Sequence, residues 1–216
     1  NANLFISEHD KGVYDEQTGS INAKVIPVQM SPEYHEYSIY PNRIRLFHIG
    51  AMDWLPNQEA IHYFIQQVFP SLVEKYPTIV LHLAGKSMPD SIFNYGSKNI
   101  IVHGEVEDSA SFMKSNDILV VPVQSGSGIR IKILEAMSVG KPVISTSIGI
   151  EGIDAKNKEQ FLLANNVDEW LNALTYLTEQ QNYNYISVHA TEFIDEHYSE
   201  KALKEKLYTF IQTQLG

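Results

Sequence analysis

Short apolar runs alternate along the chain with stretches whose apolar residues recur every three or four positions. Leu4-Phe5-Ile6 and Lys24-Val25-Ile26-Pro27-Val28 read as short strands with a helix between them. Longer runs follow: Arg43 to Ile49 stopped by Gly50, Thr78 to Ala84 stopped by Gly85, and Asn99 to His103 stopped by Gly104. Asp117 to Val121, Pro142 to Thr146 and Gln160 to Ala164 complete the strand set. Between them, Ile61, Phe64, Ile65, Val68 and Leu72 fall on one face of a helix that starts near Pro56-Asn57, with proline in its first turn. Further helices are expected over Asp108 to Lys114 and over Gly128 to Met137, the latter closed by Gly140. From Asp168 onward only helical spacing remains. Trp170, Leu171, Leu174 and Leu177 form one stripe, followed by a helix through Phe193 and another through Leu203, Leu207 and Ile211. Asp15 to Ser20 reads as loose, and Met30 to Asn42 as a connection containing tyrosines and prolines.

Strand–helix alternation with nearly continuous apolar strands implies an α/β fold: a doubly wound parallel sheet covered by helices on both faces. Residues 1–42 are expected to form a strand–helix–strand piece and its connection. Residues 43–216 are expected to form one doubly wound, Rossmann-like domain with terminal helices. Such sheets bind ligands at the carboxyl ends of their strands, where the strand order switches. The candidate positions are therefore the loops after His48, Ala84, His103, Val121 and Thr146.

Composition narrows the chemistry. The 216 residues carry 44% apolar and 19% charged residues, an ordinary globular balance. Sixteen Lys and Arg against 26 Asp and Glu leave a net charge of −10, which argues against general nucleic-acid binding through a basic face but leaves room for a small basic pocket. With no cysteine, disulfides, thiolate metal sites and cysteine nucleophiles are excluded. No apolar run approaches the roughly 20 residues of a membrane span. The start at Asn1, without an initiator Met, is expected of a fragment of something larger.

The richest segment runs from Pro122 to Met137. A strand enters the small loop Ser125-Gly126-Ser127-Gly128, which leads into a helix. Amide groups at a helix start favour an anion, and glycine lets a phosphate approach the backbone. Arg130 and Lys132 add positive charge where the helix dipole disfavours it, a conflict that an anionic ligand relieves. Glu135 follows one turn later, in the right place to accept hydrogen bonds from ribose hydroxyls. The alternative is a solvated helix with a Lys132–Glu135 pair worth a few tenths of a kcal/mol; spacing alone leaves the two readings open. The segment is neither a Walker A loop nor a spaced G-x-G-x-x-G.

Gly128-Ile129-Arg130-Ile131-Lys132-Ile133-Leu134-Glu135-Ala136-Met137, followed by Gly140-Lys141-Pro142-Val143-Ile144-Ser145-Thr146, resembles the donor-site segment of GT-B glycosyltransferases of family 4. Phe47-His48-Ile49-Gly50, Leu83-Ala84-Gly85, Val102-His103-Gly104-Glu105-Val106 and Val120-Val121-Pro122 agree in order and spacing. The opening Phe5-Ile6-Ser7-Glu8-His9-Asp10 and Val25-Ile26-Pro27 resemble the crossover from that family's acceptor domain. The resemblance implies the C-terminal, nucleotide-sugar-binding half of a two-domain enzyme that transfers a sugar with retention of configuration. Acceptor contacts to a glycan or lipid-linked glycan, and most catalytic groups, would then lie in an N-terminal half. It implies diphosphate binding by Arg130, Lys132 and the backbone at Gly50 and Gly128, ribose binding by Glu135, and base binding by Gly104, Glu105 and Val106. It further implies a UDP- or GDP-sugar as substrate, no cofactor, no metal, and a cytoplasmic enzyme at the inner face of the membrane.

The sequence departs from that pattern in two places. The first glutamate of the family's E-x7-E element falls on Ser127, which leaves a hydroxyl for the donor sugar. The cations expected after the first glycine are replaced by Ala51 and by Pro56 or Asn57, so Arg130 and Lys132 are expected to substitute for them.

Of the eight histidines, His48, His82 and His103 sit in strands and read as packed residues with one satisfied N–H, His103 being the best functional candidate among them. His9 and His35 are expected to be exposed. Trp54 either walls the cleft or packs under the neighbouring helix, and Glu151-Gly152-Ile153 is expected to border the pocket. Tyr34, Tyr37 and Tyr40 form either a hinge or an exposed cluster. Tyr183, Tyr185 and Tyr198 are expected to pack on the core, and an apolar stripe on the last helix invites self-association. Two other functions stay open: a sugar-nucleotide epimerase of the same fold, and a non-catalytic interaction module.

Overall fold

The computed structural model describes residues 3–6, 8–19 and 23–215; side chains of residues 8–10 and 213–215 are outside that description. The expectation for His9, and the end of the loose stretch at Ser20, lie outside the described residues. β1 (Asn3–Phe5), α1 (Glu8–Thr18) and β2 (Ala23–Val25) form a small unit in which the two strands pair in parallel. The loose stretch expected from Asp15 is thus helical as far as Thr18, where Gly19 ends the turn with φ +64°.

The main sheet contains β3 (Arg45–Ile49), β4 (Val80–Ala84), β5 (Ile100–Gly104), β6 (Ile118–Val121), β7 (Val143–Ser145) and β8 (Leu162–Leu163). All pair in parallel, in the order β5-β4-β3-β6-β7-β8. The order reverses between β3 and β6, so the crevice at their carboxyl ends is the topological switch point. Several strands are shorter than their apolar runs. Ile26 to Val28, Arg43-Ile44 and Gln160-Phe161 fall outside the ladder although Ile44 and Phe161 are buried; burial extends beyond pairing.

Helices cover both faces. On one side α2 (Leu55–Tyr63), a π-helical turn (Phe64–Val68) and α3 (Phe69–Lys75) form one continuous element that packs with α7 (Val167–Leu177). Ile61, Phe64, Ile65, Val68 and Leu72 are all buried there, as their spacing requires, with Phe64 and Trp170 edge to face. The widened turn precedes Pro70, which has no N–H to return to the carbonyl four residues back. Short α4 (Asp90–Phe93) follows β4. The opposite face buries Phe47, Leu119 and Val121 under α5 (Ser109–Ser115), α6 (Ile131–Ser138) and α8 (Gln180–Tyr198). Asp108 and Asn166 cap α5 and α7 by accepting backbone N–H groups. α9 (Glu200–Leu215) leaves Leu207, Tyr208 and Ile211 exposed. Tyr183 and Tyr198 are buried as expected, but Tyr185 stands on the outer face of α8 and is exposed.

The connection from Met30 to Asn42 is strapped to the main domain. Met30 N–H donates to the Tyr198 carbonyl and Glu33 N–H to the Ser138 carbonyl. Glu33 pairs with Lys114 at 2.6 Å, and Gln180 holds both the Ile39 amide and the Tyr37 carbonyl. Tyr37 lies under the Lys141 ammonium, 3.2 Å from Nζ to the ring centre, while Tyr34 and Tyr40 are exposed.

Candidate functional site

A pocket of about 450 Å³ opens at the β3/β6 switch point, between the loops after Ile49 and Val121 and the start of α6. Gly50, Ser127, Arg130, Lys132 and Glu135 all line it. Five expected site residues, up to 85 positions apart in sequence, therefore share one hollow. A larger hollow of about 1060 Å³ lies elsewhere, between β2, α8 and α9, and Gly152 and Ile153 border that one instead. The donor-type chemistry is in the smaller pocket.

The centre of the site is Lys132. Its Nζ donates to Asn57 Oδ1 at 2.9 Å and approaches His48 Nε2 at 3.1 Å. His48 is wholly buried, and its Nδ1 lies 2.8 Å from the Val120 carbonyl. A carbonyl only accepts, so Nδ1 carries the proton and Nε2 presents a lone pair. Burial, and then the neighbouring Lys132 charge, hold His48 well below its ordinary pKa, so it is neutral. Asn57 is oriented in turn by donating Nδ2–H to the Ala51 carbonyl at 2.8 Å. Burial, with Arg130 nearby, pushes the Lys132 ammonium down to about 7. Lys132 thus turns inward to His48 and Asn57 rather than pairing with Glu135 along the helix surface. Glu135 faces the pocket half-buried, and burial raises its carboxyl above the usual range despite Lys132.

The remaining expected residues are placed differently. α6 begins at Ile131, not at Gly128, because residues 126–130 are wound into a loop of their own. Gly126 and Gly128 both have positive φ, +89° and +90°, which fits glycine. Arg130 lines the pocket but is only 4% exposed, and its guanidinium donates to the Gly126 and Gly128 carbonyls. It also lies over Trp54, 5.1 Å from Cζ to the ring centre. Trp54 thus both walls the pocket and packs beneath the loop. Gly128 itself does not line the pocket, and the Gly50 N–H is already donated to the Ala84 carbonyl at 3.1 Å. The backbone amides expected at those two positions are therefore not converged on this hollow. Gly104, Glu105 and Val106 also lie outside its lining: the Gly104 carbonyl accepts from Gly85 N–H at 2.7 Å, Glu105 is exposed, and Val106 packs on the core. His103 pairs with His82 at 2.9 Å, away from the pocket. Ser109, at the start of α5, lines it without having been singled out. His48 and Asn57 read as a packed histidine and a helix start; their link to Lys132 spans 84 and 75 residues, and no local pattern reveals it.

A family model for glycosyl transferases group 1 matches residues 43–180, and the chain belongs to that family. Over 219 residues it is 27% identical to an uncharacterized 44.6 kDa protein in the cps region of Klebsiella pneumoniae, covering 95% of this chain and 54% of that protein. Over 110 residues it is 31% identical to UDP-Gal:alpha-D-GlcNAc-diphosphoundecaprenol alpha-1,3-galactosyltransferase of Escherichia coli, covering 48% of this chain and 28% of that enzyme. The chain thus spans about half or less of the length of the curated relatives it matches. Among solved structures, a point mutant of S. aureus TarM in complex with UDP, alpha-GlcNAc-glycerol and Fondaparinux superposes with a TM-score of 0.77 at 18% identity, covering 97% of this chain and 43% of TarM. HepE from Anabaena in complex with UDP and glucose gives 0.75 at 15% identity, covering 97% and 62%. The fold is that of the GT-B glycosyltransferases.

Proposed function

We propose that this chain is the donor-binding half of a glycosyltransferase, holding a nucleotide sugar at the β3/β6 switch point while the sugar passes to an acceptor with retention of configuration. The observation that carries the reading is Lys132, a lysine seated on two buried acceptors and facing the same pocket as Glu135. A diphosphate leaving group gathers negative charge as the glycosidic bond breaks, and a preorganised cation in a half-buried site stabilises that charge. Lys132 serves the diphosphate, Glu135 accepts from the ribose hydroxyls, and Ser127 faces a sugar hydroxyl. Arg130 contributes its charge at short range while its N–H groups hold the loop. The base is assigned in this reading to the loop from Gly104 to Val106, which lies outside the lining of the pocket.

The positive charge of Lys132 and Arg130 stands in this reading where other phosphate sites use a resident metal. The structures of TarM and HepE with UDP support a nucleotide sugar as the donor class. The relatives' settings, a cps region and a diphosphoundecaprenol-linked acceptor, support cell-surface polysaccharide synthesis. In this reading the enzyme works at the cytoplasmic face of a membrane. A glycan or lipid-linked acceptor would be held by a separate half, and the exposed stripe on α9 would provide a surface for association. Among the described residues, no helix is long and apolar enough to cross a membrane.

Calorimetry of the chain with UDP and GDP tests the proposal. Binding of one of them with a micromolar to sub-millimolar Kd is expected, and Glu135→Ala should erase the preference for that nucleotide over its 2′,3′-dideoxy form. Absence of heat with either nucleotide at millimolar concentration would overturn the proposal.

A further inference from the structure

We propose that His48 is a positioning residue for the diphosphate site: a buried neutral imidazole whose fixed tautomer aims the Lys132 amine at the pocket. The inference rests on the donor-binding reading above and assigns to that site a residue with no charge of its own. His48 sits in the middle of the sheet on β3, with none of its surface exposed, so its ring cannot reach a ligand directly. The Val120 carbonyl, on adjacent β6, accepts the Nδ1 proton and so turns the Nε2 lone pair toward Lys132. Asn57 supplies a second acceptor from α2. An ammonium, two of whose three N–H groups are taken by acceptors in fixed directions, has one N–H left to offer a ligand. A lysine stem is otherwise the most freely rotating of side chains, and fixing it before the ligand arrives removes an ordering cost from binding.

The backbone is built around the same arrangement. A Cβ added at Gly50 would sit 2.6 Å from Lys132 Nζ and 2.9 Å from Asn57 Nδ2, so the residue two positions after His48 has to be glycine for the amine to occupy this place. Three elements, β3, α2 and α6, thus meet at one nitrogen atom. Valine or leucine would serve core packing at position 48 equally well; a histidine there is explained by its acceptor.

Two apolar replacements of different shape, His48→Leu and His48→Phe, remove the acceptor, and His48→Gln returns one at similar reach. Calorimetry is run on each purified chain with UDP, GDP, uridine and guanosine, alongside thermal unfolding. The apolar variants are expected to bind the preferred nucleoside diphosphate about tenfold more weakly while keeping wild-type affinity for the matching nucleoside, and the Gln variant to recover most of the loss. A second readout needs no ligand: the two Cε protons of Lys132 are expected to be inequivalent by NMR in the wild type and to become equivalent in whichever apolar variant folds. Undiminished diphosphate affinity in an apolar variant, or equal losses for diphosphate and nucleoside, would overturn the role of His48 while leaving donor binding intact. If wild type binds neither diphosphate, both proposals fall.

Discussion

Gly85 lies directly against the carbonyl of Gly50: a Cβ built on Gly85 would come within 1.7 Å of that oxygen. The two glycines end adjacent strands, β3 and β4, and their contact lets the loops above the sheet close over one another at the edge of the pocket. Gly85 also has φ +149°, outside the range that side-chain-bearing residues favour. The obstacle is backbone, which cannot swing aside. Gly85→Ala is therefore expected to cost more than about 2 kcal/mol, read as a fall in the urea midpoint at unchanged m-value.

Gly50→Ala should behave differently. Its added methyl meets the ends of two side chains, Lys132 Nζ and Asn57 Nδ2, which can move away. We expect a stability loss under about 1 kcal/mol but at least a tenfold fall in nucleoside diphosphate affinity, because the displaced group is the amine itself. Chemical denaturation and calorimetry on the same preparation separate the two effects.

Lys132 makes donor binding depend on pH. Burial, then Arg130, holds its free-site pKa at about 7, Glu135 pulls it upward, and His48 stays neutral throughout because its own pKa is well below 6.5. A bound diphosphate adds negative charge beside the amine and raises its pKa again. Between the free and bound values the complex holds a proton that the free chain lacks. Binding should take up a proton above about pH 7.5 and weaken by up to about tenfold per pH unit there. Calorimetry at pH 8 in buffers of different ionisation enthalpy should give an uptake of up to one proton in wild type and near zero in Lys132→Met.

Lys141 carries a similar depression with a different consequence. It is only 1% exposed, and burial pushes it from 10.5 to about 7, with the Asp117 carboxylate and the Tyr37 ring acting in the opposite direction. Between those values the unfolded chain holds a proton that the folded chain does not, so this group's contribution to stability rises with pH from about 7 to about 10 and is lost as the pH falls. Lys141→Met should be more stable than wild type by about 2 kcal/mol at pH 7, with the gap closing toward pH 10. Urea unfolding of both proteins across that range checks the direction as well as the size.

Most of the scaffold was legible because it is written in local periodicity. The Ile61 to Leu72 stripe, the glycine stops after β3, β4 and β5, and the Ser125 to Gly128 loop each depend on neighbours within a few residues. The start of α6 was less so, since Gly128 to Arg130 are held out of the helix by a guanidinium folded back on two carbonyls, a tertiary preference over helical continuation. Lys132 and Glu135 were visible as a pair of charges on a helix. What anchors Lys132 was not: a buried histidine on a strand has the same signature whether its spare nitrogen meets water, a carbonyl or an amine. The same holds for Gly104 to Val106, where a strand-end glycine marks a turn without fixing which hollow that turn borders.

The strap from Met30 to Tyr40 has a consequence for motion. Anchored at Tyr198, Ser138, Lys114, Gln180 and Lys141, it travels as part of the main body. Any rotation of the unit of β1, α1 and β2 against that body is therefore confined to the few residues between Val25 and Met30. A short pivot beside a rigid mount converts a small rotation there into a large sweep at the far end, as a door does on its hinge pin.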